Sequence, residues 1–255
     1  MIRAMVTVAT NTFRETIRNK VLYNILLVAA VALLLSFSFG DLSVFSRAQV
    51  MTDFGLATMS VTGLLLAIFI GVGLLGMELS TKTVYGVVGR PVSRASFVFG
   101  KFCGLCATLM VNFVLIALVF FIAIGLLGVT VQPEVLDAIV LIGVEMALIV
   151  AASIFFTTFT TPTLAAIFTV GFYIAGHLND LLNIGVENRN NPVWRGMLRA
   201  FYYILPNLEH FNIRTRVIYG LDIPDRFVAE AVAYGLLYTL LLLLLAHFVF
   251  SRKDL

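Results

Sequence analysis

The stretch FGLATMSVTGLLLAIFIGVGLLGM, residues 54 to 77, contains no charged side chain and lies between Asp53 and Glu78. At 1.5 Å per residue, a helix of this length extends about 36 Å, which exceeds the roughly 30 Å hydrocarbon core of a bilayer. A helix of this length on a soluble protein would present a charged face to water. The stretch therefore predicts a helix that crosses a membrane.

The composition of the whole chain agrees with this prediction. Of its 255 residues, 60% belong to the hydrophobic set and only 12% are charged, and the mean hydropathy is +1.02. A soluble domain has about 25% charged residues. Because this chain has too little polar surface to cover a globule of its size, most of its surface is expected to face lipid. The predicted class is an all-α integral membrane protein.

Six spans are predicted within a single transmembrane domain, residues 1–255. Between Met146 and Asn179 the chain has no Lys, Arg, Asp or Glu, and Pro162 in TTFTTPT (157–163) divides this run between two spans. The spans are expected at about 21–40, 54–77, 102–129, 135–159, 163–182 and 230–250.

The distribution of basic residues predicts the orientation. With the N-terminus inside, all four lysines fall on the cytoplasmic side, whereas most acidic residues fall outside. The positive-inside rule then places both termini of this multi-pass protein in the cytoplasm. The sequence pI of 9.0 reflects this asymmetry, and no nucleic-acid partner is expected.

Two segments outside the spans have amphipathic character. Residues 1–19 are predicted to form a helix in the inner headgroup layer, and the outer loop 183–229 is predicted to form short helices at the outer interface, broken at Pro206. The apolar positions of the first helix recur at three- and four-residue steps: Ile2, Met5, Val6, Ala9, Phe13 and Ile17.

Three motif matches are rejected on their context. GVGLLG (71–76) matches G-x-G-x-x-G but lies inside a span and not in a βαβ unit, so close helix packing is the better interpretation. Cys103-x-x-Cys106 has no second ligand pair, and no metal site is predicted. Gly100-Lys101 is followed by Phe102, which cannot supply the hydroxyl that a P-loop places on Mg²⁺, so the chain is not expected to bind ATP by that route. No cofactor is predicted for the chain itself.

Three polar residues are candidates for a translocation or gating role. Glu145 is the one acid well inside a predicted span, where a carboxylate is costly and suggests function. The alternative is a glutamate that only helps helices pack. His177 and Asp180 share a helical face at the outer end of the fifth span, which fits an outer gate or proton relay. The alternative there is a pair of polar residues anchored at the interface.

The segment ELSTKTVYGVVGRPVSRASFVFGK, residues 78–101, interrupts the apolar chain on the cytoplasmic side. Gly89 and Pro91 predict a break between two short helices, and Ser93 is predicted to cap the second. An ordinary loop needs only charge, whereas this one also carries apolar residues outside the bilayer, which favours a docking surface for another protein. The predicted docking residues are Glu78, Leu79, Thr81, Lys82, Thr83, Val84, Tyr85, Arg90, Pro91 and Arg94.

This segment resembles the coupling region of the ABC-2 type permeases, the membrane subunits of one class of ATP-driven transporters. The matching features are Glu78, Thr81–Thr83, Arg-Pro-Val-Ser-Arg at 90–94 and Gly100-Lys101. The resemblance extends to the N-terminal helix, the six spans and PNLEHFNIR (206–214). Within the family, the chain looks most like the short permeases grouped with copper-enzyme maturation and gliding-motility systems.

The resemblance implies a permease that is not itself an enzyme. Two copies of a cytoplasmic ABC ATPase would bind ATP and Mg²⁺, and a second copy of this permease or a homologous permease would complete the membrane unit. A lipid-like or amphipathic substrate would be exported or extracted from the membrane. The alternatives are a complex that transmits force to periplasmic or accessory partners without a pore, and an ion- or proton-coupled secondary transporter. A membrane enzyme is disfavoured because no nucleophile or metal cluster converges in the sequence.

Overall fold

The computed structural model describes residues 2–42, 47–80, 93–126, 128, 130, 132–179 and 192–252, and every regular element within these ranges is helical. The predicted all-α class is therefore confirmed for the part of the chain that is described. In order, the elements are α1 (Ile2–Ile17), α2 (Lys20–Leu42), α3 (Arg47–Ser80), α4 (Arg94–Leu126), α5 (Val135–Phe159), α6 (Pro162–His177), α7 (Pro192–Ile204), a 3₁₀ helix (Leu208–Phe211), α8 (Arg214–Tyr219) and α9 (Phe227–Ser251).

Four of these helices, α3, α4, α5 and α9, are each long and apolar enough to cross a membrane. Helices α1 and α2 qualify together as a fifth span, with a bend of 60° between them. The chain is thus a multi-pass membrane protein with four to five spans in the described ranges. Helix α6 has 16 residues and extends about 24 Å, which is short of a full crossing. The six-span count remains a prediction.

Two predicted boundaries agree with the helices, and a further cap was not predicted. Pro162 is the first residue of α6, where its missing N–H and fixed φ do not disturb the helix. Ser93 caps α4, since its Oγ accepts a hydrogen bond from the backbone N–H of Ser96 at 3.2 Å. Asn19 caps α2 in a similar way, with its Oδ1 accepting from the N–H of Val21 at 3.0 Å. This cap lies at the bend between α1 and α2.

Helix α5 is the centre of the bundle and packs against α3, α4, α6 and α9. It is apolar on all sides, which is typical of a helix that is surrounded by other helices. Accordingly, its residues from Leu148 to Ile154 are all buried. Helix α3 packs closely on α5 because Gly63 has no side chain: a Cβ there would come within 2.8 Å of Met146 and Phe113. In the GVGLLG stretch, Gly71 similarly faces Ser153 of α5.

Helix α1 packs along the first half of α4, a contact that its amphipathic pattern does not predict. Val8, Thr12 and Thr16 are buried, whereas the predicted apolar positions Ile2 and Val6 are 76% and 53% exposed. The helix thus uses Val8, Thr12 and Thr16 against α4, while Ile2 and Val6 are left to face lipid in the predicted interfacial location. Its location in a headgroup layer stays a prediction.

The contacts define two ends of the bundle. At the α1 end, α1 lies beside the start of α4, and the start of α4 contacts the last residues of α9. At the α8 end, α8 lies beside the first turns of α3 and the α4–α5 connection. The 3₁₀ helix also packs among α5, α6 and α9, with Phe211 buried against Gly235.

Candidate functional site

The first residue of α4 is bound to the carboxyl end of α9. Nη1 of Arg94 donates hydrogen bonds to the backbone oxygens of Phe250 at 3.0 Å and Ser251 at 2.7 Å. The last carbonyls of a helix have no partners within the helix and carry partial negative charge, so a guanidinium is well suited to them. One turn later, the ring of Phe97 stacks on Phe250 with 5.7 Å between centroids. The start of α4 and the end of α9 are therefore joined by polar and apolar contacts.

Helix α1 is attached to the same part of α4. A Cβ at Gly100 would come within 2.8 Å of Val8, and one at Gly104 within 2.6 Å of the backbone oxygen of Ala9. Between these two glycines, Lys101 is only 3% exposed. Its Nζ lies 3.9 Å from Oε2 of Glu15 and 5.8 Å from the centroid of the Phe97 ring. Helices α1, α4 and α9 thus form one packed group at this end.

Three of the ten predicted docking residues, Glu78, Leu79 and Arg94, are described by the structure. Arg94 is described and contacts α9, while Glu78 and Leu79 belong to the last turns of α3. The other predicted docking residues, from Thr81 to Pro91, lie outside the described residues. The structure therefore shows where the docking segment leaves α3 and enters α4, and the docking role stays a prediction.

At the other end of the bundle, Glu145 and His177 meet. Nε2 of His177 lies 3.4 Å from Oε1 of Glu145, whose side chain is 4% exposed. This Oε1 has no hydrogen-bond partner among the described residues, and neither does Nδ1 of His177. Tyr173, one helical turn earlier, packs on the imidazole with 4.5 Å between ring centroids. Asp180, the predicted partner of His177, lies outside the described residues.

Glu145 and His177 line a cavity of about 220 Å³ between α3, α5, α6 and the segment that connects the 3₁₀ helix to α8. Arg214 lines the same cavity, and its Nε donates to Oδ1 of Asp53 on α3. The full lining consists of Ser60, Ala138, Ile142, Glu145, Tyr173, His177, Phe211, Asn212, Ile213 and Arg214.

No metal centre accompanies these groups in the described ranges. Cys103 and Cys106 are free thiols, and no three His, Cys, Asp or Glu side chains there converge on one point. The cavity therefore offers a carboxylate, an imidazole, a guanidinium already engaged with Asp53, and aromatic walls. Such a set suits binding of a polar group more than bond-making chemistry.

A comparison with protein families decides what kind of membrane protein this is. The family described as "ABC-2 family transporter protein" matches residues 6–255. The chain belongs to this family. No curated protein matches the chain.

Membership in the ABC-2 family makes the chain the membrane subunit of an ABC transporter, not itself a catalytic enzyme. It also implies partnership with an ABC ATPase subunit. The resemblance inferred from residues 78–101 is therefore confirmed at the level of the family. The likeness to the short permeases of copper-enzyme maturation and gliding-motility systems stays a prediction.

Within this ABC-2 permease, sequence reasoning missed the contacts between distant segments. Glu145 and His177 were each selected as candidates, but nothing in their spacing indicated that they meet. The Asp53–Arg214 pair was also missed. The one available signal was that Asp53 directly precedes the predicted span 54–77 and that Arg214 ends PNLEHFNIR (206–214).

Proposed function

We propose that this permease subunit exports or extracts a lipid-like or amphipathic substrate, using ATP hydrolysis by a separate ABC ATPase that docks on residues 78–101. In this proposal the α1 end faces the cytoplasm together with both termini, in a bacterial inner membrane with six spans. Two ATPases and a second permease complete the working unit. The observation that carries the proposal is the binding of Arg94 to the end of α9.

The contacts of Arg94 give the docking segment a mechanical connection. Residues 78–93 lead directly into α4, and Arg94 and Phe97 fasten that entry to α9. Gly100 and Gly104 fasten it to α1. A displacement of the docking segment by an ATPase would therefore be passed to three helices at once, because packed helices move as bodies and do not deform continuously.

Helix α9 continues this connection to the other end of the bundle. The hydroxyl of Tyr234 accepts a hydrogen bond from the backbone N–H of Asn207 at 2.9 Å. One residue later, Gly235 packs against the ring of Phe211, which also lines the cavity with Glu145. A continuous series of contacts thus runs from the predicted docking segment through α4 and α9 to the cavity.

The substrate class is supported by the outer surface of α4. Met110, Val114, Leu118 and Ile122 recur every four residues and are between 53% and 68% exposed. They form an apolar stripe on one face of the helix. Within a bilayer, this stripe is suited to contact with hydrocarbon chains, whether of surrounding lipid or of an amphipathic substrate.

The experiment that tests the proposal separates docking from transmission. Tyr85→Ala and Arg90→Glu are expected to reduce co-purification with the ATPase. Arg94→Gln is expected to lower ATP-driven transport at least tenfold even in complexes that retain the ATPase, because it releases α9. Arg252→Gln is the matched control, since Arg252 is an exposed cation at the same end whose described contact is the ring of Phe248.

Two outcomes would contradict the proposal. One is normal ATPase binding and transport in all three variants. The other is a reversed topology. In the proposed topology, a cysteine introduced at position 82 reacts only from the cytoplasmic side and one at position 194 only from outside. Labelling in the opposite sense would place the docking segment out of reach of a cytoplasmic ATPase.

A further inference from the structure

The cavity beside Glu145 has the features of a binding site for a cation. Its volume of about 220 Å³ is far above the ~10–15 Å³ that a single water needs. Asn212, one of the lining residues, is exposed, so the cavity borders the protein surface at the segment before α8. The cavity is therefore both large enough and open enough for a small ligand group.

Of the two charged residues that line the cavity, Arg214 has an ion-pair partner and Glu145 has none of comparable kind. Arg214 contributes a positive charge, but its Nε is paired with Asp53. Glu145 has no comparable partner, since the nearest cationic candidate is the imidazole of His177 at 3.4 Å, and that contact is not a hydrogen bond. A carboxylate buried in a membrane protein is costly unless it is paired. A cation bound beside Oε1 of Glu145 would supply that pairing.

The remaining walls also suit an ammonium group. Two aromatic residues, Tyr173 and Phe211, are among the lining residues, and aromatic faces attract cations. A primary ammonium has three N–H donors. Oε1 of Glu145 is one acceptor without a partner, and the lining hydroxyls and the amide of Asn212 offer others.

We propose that this cavity binds the primary ammonium group of a small amine or of an aminated lipid headgroup, with the carboxylate of Glu145 as its main partner. Phosphatidylethanolamine is the lipid source of this chemistry, and free ethanolamine is a soluble one. The proposal goes beyond the transport function, because it concerns a ligand at the α8 end and requires neither ATP nor the ATPase. Its failure is therefore distinguishable from a failure of the docking proposal.

The test uses the purified full-length chain in detergent, titrated with lipids of matched acyl chains and followed by native mass spectrometry. Phosphatidylethanolamine is expected to bind at least tenfold more tightly than phosphatidylglycerol, which has no ammonium. Phosphatidylcholine is expected to fall between them, because its quaternary ammonium has charge but no N–H donor. This comparison uses the unmodified protein and does not depend on the folding of a variant.

Variants then assign the site. Glu145→Gln keeps the shape of the side chain and is expected to weaken phosphatidylethanolamine binding by about tenfold to a hundredfold, the range for a hydrogen bond to a charged group. Tyr173→Leu should weaken it by a smaller factor. Glu134→Gln is the matched control, because Glu134 precedes the same helix but lies outside this cavity.

The source of the ligand is assigned by competition. Displacement of the lipid by millimolar ethanolamine would support the ammonium site with a soluble ligand, whereas displacement only by phosphatidylethanolamine would support it with a lipid ligand. Equal binding of phosphatidylethanolamine and phosphatidylglycerol to the unmodified chain would overturn the proposal. So would unchanged phosphatidylethanolamine binding in a folded Glu145→Gln variant.

Discussion

Replacing both Gly100 and Gly104 with alanine is expected to detach α1 from α4. The two new Cβ atoms would lie 2.9 Å from the backbone oxygen of Met5 and 2.6 Å from that of Ala9. A side-chain neighbour would rotate away, but a backbone oxygen moves only if its helix moves. Helix α1 must therefore shift outward as a whole.

The size of the effect follows from two opposing terms. Overpacking costs about 1–3 kcal/mol at each position, while the helix propensity of alanine over glycine returns up to about 1 kcal/mol at each. The net destabilisation of the α1–α4 contact is then about 2 kcal/mol for the pair, which corresponds to roughly a thirtyfold change in the attachment equilibrium. The matched control is Gly143→Ala in α5, where the new Cβ would meet no atom of another described helix within 4 Å. This change should be neutral or slightly stabilising.

The assay combines thermal unfolding in detergent with limited trypsin digestion. Arg14 near the end of α1 is exposed, and detachment should speed cleavage there because a protease needs a locally opened helix. The double variant should therefore melt at a lower temperature and be cut faster than Gly143→Ala. Identical melting temperatures and cleavage rates in the two proteins would refute the packing argument.

Three further predictions concern single contacts and activity. Tyr234→Phe should lower the free energy of unfolding by about 1–3 kcal/mol, because it leaves the Asn207 N–H without its acceptor; Tyr238→Phe, at an exposed contact, should cost less than half as much. A double-mutant cycle with Lys101→Met and Glu15→Gln should give a coupling energy below about 1 kcal/mol, because Glu15 is 42% exposed and water screens the pair. A larger coupling energy would show that the pair is shielded from solvent. The purified chain alone should release no phosphate from ATP above a heat-denatured sample, and measurable turnover would contradict an ATPase supplied by another subunit.

Much of the architecture follows from the sequence because the deciding terms are local. The insertion of a helix into lipid depends on the summed hydropathy of about 20 consecutive residues, so residues 54–77 and the other long apolar runs predict their own helices. The division at Pro162 and the cap at Ser93 depend on one residue and its nearest neighbours, and both agree with the structure. The family was likewise recognisable from the short segment at residues 78–101.

The faces that pack together depend on distant residues, and there the sequence was less informative. The amphipathic pattern of α1 predicts an interfacial helix whose apolar residues face lipid, but it does not indicate which residues contact α4. Val8, Thr12 and Ala9 of α1 meet the glycines of α4, because close approach of two helices requires little side-chain volume.

The candidate sites show the same division. The cost of a charged group in a span is visible in the sequence, and it is what drew attention to Glu145. Its neighbour His177 is 32 positions away, and the two meet only because α6 lies beside α5. The docking role of Arg94 stays a prediction, and only the structure shows that its hydrogen bonds reach the end of α9, more than 150 positions later. Composition thus determined that the chain is a bundle of membrane helices, and only tertiary packing decided which polar groups face one another, because that depends on helix neighbours and not on local sequence.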